Sequence, residues 1–299
     1  MDQSQSILII GDSGLLGQAL VRELTRRNWP YRGLSRHSKD IRCDALDHAA
    51  LSSALAEATP EIIINAAGLI DIAACDSTPE QAWLANARLP MQLAEYCKQK
   101  NRYLIQISTD HYYIGDGAAP HDEKAATTCV NEYARSKLAG EILALSHNET
   151  LVVRTNIVGF RQSGKPTFVE WAIEQLQHQK PTTLFTDFFT SSISTTQFSA
   201  ALLDIIAIHP TGYLNLASRE GASKYDFVHA LAKACNLDTA YCQAGKLEDM
   251  PSAKRANSLV LDVSRAEKLL KRQLPGLQSV VEQLAIEYRS LQQKNGDSP

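Results

Sequence analysis

The sequence predicts an α/β protein built on a doubly wound parallel sheet, followed by a smaller C-terminal lobe. Three observations predict it. Short apolar runs alternate with helical patterns through the first half of the chain. The runs are apolar throughout rather than on alternate residues, as in strands covered by helices on both faces. A loop with regularly spaced glycines joins the first run to the first helix.

Ile7–Ile10 is an apolar run that stops at Gly11, and a helical pattern follows from Leu15 to about Arg27. Tyr31–Leu34 and Ile41–Arg42 read as short strands, His48–Ala58 as a helix and Ile62–Asn65 as a buried strand. Thr78-Pro79-Glu80-Gln81 has capping-box spacing with proline at the first helical position. That helix should run past Trp83 and Asn86, with Pro90 beginning a new one. Tyr103–Ser108 is a strand, Glu132–Ser146 a helix and Leu151–Thr155 a strand. After Thr155 the rhythm loosens. Phe168–Gln179 and Ser199–Ile208 are helical, Leu184–Ser194 reads as irregular, and Gly212–Ala217 is a strand. Ser223–Asn236 and Ser264–Leu270 both open with capping spacing, Ser223 to Asp226 and Ser264 to Glu267. Leu277–Gln292 is a terminal helix, and Asn295–Pro299 reads as a frayed tail. The expected division is a nucleotide-binding domain over 1–155 with a returning segment near 186–217, a substrate lobe over most of 156–290, and a tail at 291–299.

The 299 residues carry a formal net charge of -3, which offers no electrostatic footprint for nucleic acid or an anionic membrane. None of Cys43, Cys75, Cys97, Cys129, Cys235 and Cys242 forms a C-x-x-C pair, so reduced thiols in a cytoplasmic protein are expected. The apolar run at Ile7 is too short to span a bilayer. The eight histidines have no metal-ligand spacing, so no metal is expected.

Gly11-Asp12-Ser13-Gly14-Leu15-Leu16-Gly17 has the spacing of a dinucleotide loop between strand and helix, which makes the sheet Rossmann-type. Gly11 permits the tight turn, Gly14 the approach of a pyrophosphate, and Gly17 close packing of the helix. Ser13, Leu15 and Leu16 complete the phosphate-binding helix start. The second strand ends in Ser35-Arg36 rather than an acidic residue. Arg36 can clamp a 2′-phosphate with help from Ser35, so NADP is expected over NAD.

Tyr133-Ala134-Arg135-Ser136-Lys137 places Tyr133 and Lys137 one turn apart on one helix face. A neighbouring ammonium should lower the phenol's pKa and suit it to acid–base work. Thr109 follows the Tyr103–Ser108 strand at the sheet edge where such folds place their sites, and its hydroxyl can hold a substrate oxygen. Thr109, Tyr133 and Lys137 are the expected catalytic set.

Through these motifs the chain resembles the extended short-chain dehydrogenase/reductases, and within them the dTDP-4-dehydrorhamnose reductase-like branch. The resemblance rests on the glycine loop, Asn65-Ala66-Ala67-Gly68, Ser108-Thr109-Asp110, Tyr133–Lys137 with its extension to Glu141, Val153-Arg154-Thr155, and Arg255-Ala256-Asn257-Ser258 leading into Leu261–Ser264. It implies that Asp44 and Ala45 meet the adenine, that Ala66, Ala67, Gly68 and Ser108 line the cofactor, and that Asn86 orders the active-site helix. Asp110, His111, Asn156 and Ser191 would face the substrate. It also implies an NADPH-dependent reduction of a nucleotide-linked 4-keto-6-deoxy sugar, with a homodimer as the candidate assembly. His111 stands where related dehydratases carry an acid, which argues against dehydration. Two alternatives remain: an NADP-binding partner protein, like the regulatory beta subunit of methionine adenosyltransferase, and a sugar-nucleotide epimerase.

Overall fold

The computed structural model describes residues 6–161, 164–249 and 255–296. The first half supplies β1 (Ile7–Ile10), α1 (Leu15–Arg26), β2 (Tyr31–Ser35), β3 (Ile41–Arg42), α2 (His48–Ala58), β4 (Ile62–Asn65), α3 (Ile72–Ser77) and α4 (Pro79–Trp83). It continues through α5 (Leu89–Lys100), β5 (Tyr103–Ile107), α6 (Glu132–Ala144) and β6 (Thr150–Arg154). The second half supplies β7 (Ile157–Val158), α7 (Phe168–Gln177), β8 (Thr182–Phe185), β9 (Phe189–Thr190), β10 (Ile193–Ser194), α8 (Thr195–Ile208) and β11 (Gly212–Asn215). After these come β12 (Ala222–Ser223), α9 (Lys224–Cys235), β13 (Cys242–Gly245), β14 (Ser258–Leu259), α10 (Ser264–Leu270) and α11 (Leu277–Gly296).

Seven strands form one parallel sheet in the order β11-β6-β5-β4-β1-β2-β3. The pleat sends alternate residues of β1 to opposite faces. Ile7 and Ile9 join the core beneath α1 and α8, while Leu8 and Ile10 join the core beneath α2 and α5. A third core gathers Val158 with the apolar faces of α7, α9 and α11. Strand order reverses between β1 and β4, and this switch point opens a crevice beyond their carboxyl ends. Among the described residues no helix is long and apolar enough to cross a membrane.

The element pattern differs from expectation at several places. Leu184–Ser194 is not irregular: it contains the short strands β9 and β10 and the end of β8. The helix expected from Ser199 starts at Thr195, because the Ser194 hydroxyl caps it by accepting from Gln197 N. Thr78 forms no capping box. Its hydroxyl donates back to Ala74 O at 2.8 Å, closing α3 instead of opening α4. Ser264 is likewise not the cap of α10. Asp262 accepts from its N–H, and Glu267 is engaged by Leu274 N. Pro90 does stand in the first turn of a helix, α5, as expected, but α4 passes into α5 without a break through a π-helical turn at Leu84–Arg88. Proline has no N–H to offer the carbonyl four residues back, so the wider turn is where this ladder gives way. Asn295 lies within α11, and 297–299 fall outside the described residues.

Candidate active site

The glycine loop borders a cleft of about 530 Å³ at the switch point. Gly11, Ser13, Gly14, Ser35 and Arg36 line it from one side, Asp44 and Ala45 from beyond β3, and Ala66, Ala67 and Gly68 from the β4 side. Gly11 has φ +85°, and a Cβ there would lie 2.9 Å from Ala67 N, so only glycine keeps the loop this close to β4. Gly14 is the N-cap of α1 and carries no side-chain cap, so the helix start presents bare N–H groups toward the cleft. Leu15 and Leu16 can contribute there only through backbone; the Leu16 side chain is buried in the core. Gly17 packs against the Gly11 carbonyl and is not part of the lining. Arg36 is exposed and makes no ion pair among the described residues. Asp44 accepts from Leu46 N in a turn while remaining in the lining. An uncapped helix start, a crevice cleared of side chains by glycine and an unengaged Arg36 fit a dinucleotide carrying a 2′-phosphate.

Thr109, Tyr133 and Lys137 meet beside this cleft. All three are buried, at 4%, 7% and 6% exposure. The Asn131 side chain caps α6, accepting from Ala134 N, and so fixes where the helix begins. Lys137 Nζ donates to Ile107 O at 2.8 Å, at the end of β5. Thr109 lies within hydrogen-bonding reach of the Tyr133 phenol. Burial pushes the Tyr133 phenol above its ordinary value, and the Thr109 bond offsets only part of this. Lowering by Lys137 was expected, but that ammonium is turned to Ile107 O, and desolvation of the phenolate dominates. The neutral phenol is the form that donates a proton. Burial also lowers Lys137 to about 8, with Glu141 opposing the shift.

Asn86 stands in the π-helical turn and is 1% exposed. Its Oδ1 accepts from Leu69 N, and its Nδ2 donates to Leu69 O and to Ser136 Oγ. It therefore orders the helix carrying Tyr133 and Lys137 and does not itself line the cleft. A Cβ at Gly140 would collide with the Asn86 carbonyl, so α6 can sit this close to the π turn only with glycine there. The Ser108 hydroxyl is turned to Tyr112 at 3.2 Å, away from the cleft. Tyr112 continues to Glu141, whose carboxylate is clamped by Arg154.

On the substrate side, Asp110 is 1% exposed and accepts from Asn156 Nδ2 at 2.8 Å. Burial pushes it up to about 7, against the Asn156 bond and the charge of Lys224. His111 lies edge-on to the Tyr133 ring, with centroids 5.6 Å apart. Burial, reinforced by Lys224 and Arg255, lowers it to about 3, so it is a neutral imidazole at pH 7. Ser191 does not face this cluster. It is fully buried, and its hydroxyl accepts from Leu261 N. Its neighbours Thr190 and Ser192 share a hydrogen bond and lie on the Asn156 side, since alternate residues of an extended segment point oppositely. One residue at the site had no sequence motif to announce it. Lys224 opens α9 between the rings of Phe168 and Phe188. Glu141, where the extension of the Tyr133–Lys137 motif ends, is buried on α6 itself and pairs with Arg154. The Phe188 ring also packs with Ala256 and Leu259.

The model of the RmlD substrate binding domain family matches residues 5–290. The chain belongs to this family. A relative from Haloferax volcanii, named probable low-salt glycan biosynthesis reductase Agl14, is 27% identical over 90% of this chain and 94% of its own length. The dTDP-4-dehydrorhamnose reductase of Streptomyces griseus is 33% identical over 60% of this chain and 58% of its own. Among solved structures, a Bacillus anthracis dTDP-4-dehydrorhamnose reductase in complex with NADP superposes with a TM-score of 0.85 at 21% identity, covering 95% of this chain and 99% of that one. That likeness establishes the shared fold.

Proposed function

We propose that this RmlD-family protein is an NADPH-dependent reductase of a nucleotide-linked 4-keto-6-deoxy sugar. The observation that carries the reading is the convergence of a buried neutral phenol, Thr109 and Lys137 at the carboxyl edge of β5, beside a glycine-lined crevice with an unengaged Arg36. The family match and the relatives named as reductases support it. Bound NADPH would supply the hydride. The helix start at Gly14 and Arg36 would hold its phosphates, and Asp44 and Ala45 its adenine end. Thr109 positions the keto oxygen, and Tyr133 delivers the proton to it as the alcohol forms. Lys137, one turn from Tyr133 on α6 and anchored on Ile107 O, assists from the same helix. Residues of 156–290 then supply most of the sugar-nucleotide contacts, and the substrate and cofactor are those of a cytoplasmic enzyme. A partner-protein role would leave this catalytic set without a use.

The test is NADPH oxidation with dTDP-4-keto-6-deoxy sugars. The wild type should oxidise NADPH only when the keto sugar is present. Tyr133→Phe should lose about two to four orders of magnitude in kcat while keeping NADPH affinity. Full turnover by that variant would overturn the assignment. Cofactor binding without oxidation, together with capture of a stoichiometric enzyme partner, would favour the partner-protein reading.

A further inference from the structure

A single directed chain of hydrogen bonds crosses from the second half of the molecule to the catalytic threonine. Lys224 Nζ donates to Thr190 Oγ1 at 3.3 Å. With that oxygen accepting, the Thr190 hydrogen goes to Ser192 Oγ, 3.0 Å away. Ser192 Oγ donates to Asn156 Oδ1 at 2.7 Å, and Asn156 Nδ2 donates to Asp110 Oδ2 at 2.8 Å. The other carboxyl oxygen, Asp110 Oδ1, lies 3.3 Å from Thr109 Oγ1, and Thr109 is within hydrogen-bonding reach of Tyr133. Every donor between Lys224 and Asp110 points toward the carboxyl, so each bond polarises the next and the whole chain favours a carboxylate at its end. Burial favours the protonated acid instead. Asp110 is thus balanced between two forms and joined to the proton donor through one hydroxyl.

We infer that Asp110 is a proton reservoir for Tyr133, working through Thr109, and that Lys224 sets its readiness through the Thr190–Ser192–Asn156 chain. The inference rests on the reductase reading for its catalytic part. When Tyr133 gives its proton to the keto oxygen, the Thr109 hydroxyl passes its own proton to the phenolate. Thr109 in turn takes one from the Asp110 carboxyl. At Tyr133 and Thr109 one O–H bond breaks and one forms, the keto oxygen gains an O–H bond and Asp110 loses one, and the carboxylate left at Asp110 is held by Asn156 and by the Lys224 cation. Solvent reprotonates Asp110 between turnovers. Lys224 touches none of the reacting atoms and is a positioning residue.

The groups facing Asp110 are Thr109, His111 with Nε2 at 3.9 Å, Tyr113, Tyr133, Asn156 and Lys224, with Arg255 acting on Lys224 and His111. His111 stays neutral and Tyr133 and Tyr113 stay protonated in the neutral range, which leaves Asp110 as the group of this set that titrates near pH 7. Lys224 and Lys137 ionise higher, each at about 8.

The experiment has two arms. Infrared difference spectra of the free full-length protein should show a carboxylic C=O band that disappears as pH rises through neutrality and is absent from Asp110→Asn. Lys224→Met keeps the packing against Phe168 and Phe188 but removes the charge. It should raise the band's midpoint by about one pH unit or more, and Lys224→Arg should restore it. In the second arm, wild-type kcat should fall through the same midpoint, while Asp110→Asn should be slower by about tenfold or more at pH 6 and lack that limb. A band that does not titrate in this range, or a midpoint unmoved by Lys224→Met, overturns the Asp110–Lys224 couple. A neutral limb retained in Asp110→Asn overturns the reservoir. Absence of NADPH oxidation with every keto sugar would count against the reductase reading, while the infrared arm would still decide the couple.

Discussion

The Glu141–Arg154 pair, which ties α6 to the end of β6, makes a prediction whose size follows from its geometry. The two side chains are 0% and 4% exposed, and the guanidinium meets the carboxylate at 2.7, 3.1 and 3.2 Å. Tyr112 donates to Glu141 Oε1 and Arg154 donates to Tyr113. The guanidinium also lies over the rings of Tyr112 and Tyr213. Glu141→Gln leaves the buried cation without a counter-charge, facing one neutral amide, one hydroxyl and two ring faces. Stranding one member of a buried pair costs about 3–5 kcal/mol, whereas replacing both members by apolar groups of similar volume costs far less. Urea unfolding should therefore show Glu141→Gln destabilised by roughly that amount, and Glu141→Leu/Arg154→Met less destabilised than the single variant. Tyr112 also bonds Ser108, next to Thr109, so the single variant should lower kcat more than it raises KM. A loss below about 1 kcal/mol, or a double variant as unstable as the single one, would refute the reasoning that the pair owes its effect to desolvation.

Gly140→Ala must push α6 off the Asn86 carbonyl. It should cost about 1–3 kcal/mol in unfolding experiments, and because Tyr133 and Lys137 ride on that helix it should lower kcat by about tenfold or more. Arg36→Ala should weaken NADPH binding by about tenfold to a hundredfold in a fluorescence titration and leave NADH binding unchanged; equal loss for both would remove Arg36 from the 2′-phosphate. The pH dependence of stability follows from Asp110, whose folded value of about 7 lies above its ordinary 3.8. Between those values the folded protein binds a proton that the unfolded chain has released, so stability falls as pH rises. Relative to Asp110→Asn, the wild type should lose roughly 1.4 kcal/mol per pH unit across that window, and a difference that stays level with pH would contradict it.

The parts of this protein written in short stretches of sequence were legible there. Ile7–Ile10 and Ile62–Asn65 are apolar on both faces because helices cover both faces of the sheet, and a run of four such residues carries that information by itself. Gly11 and the Tyr133–Lys137 spacing are local in the same sense: a turn and a helical repeat fix them. Tertiary structure decided what depends on competition between partners. Thr78 and Ser264 have capping spacing, yet Ala74 O and Asp262 engage them first. Ser191 is expected from the resemblance to face substrate, but the direction of its side chain depends on where the extended segment crosses the core. Lys224 reaches Asp110 through Thr190, Ser192 and Asn156, which come from separate stretches of chain. No local pattern announces a buried lysine as useful, because its charge acquires meaning only from the carboxyl that folding places at the other end of the chain of hydrogen bonds.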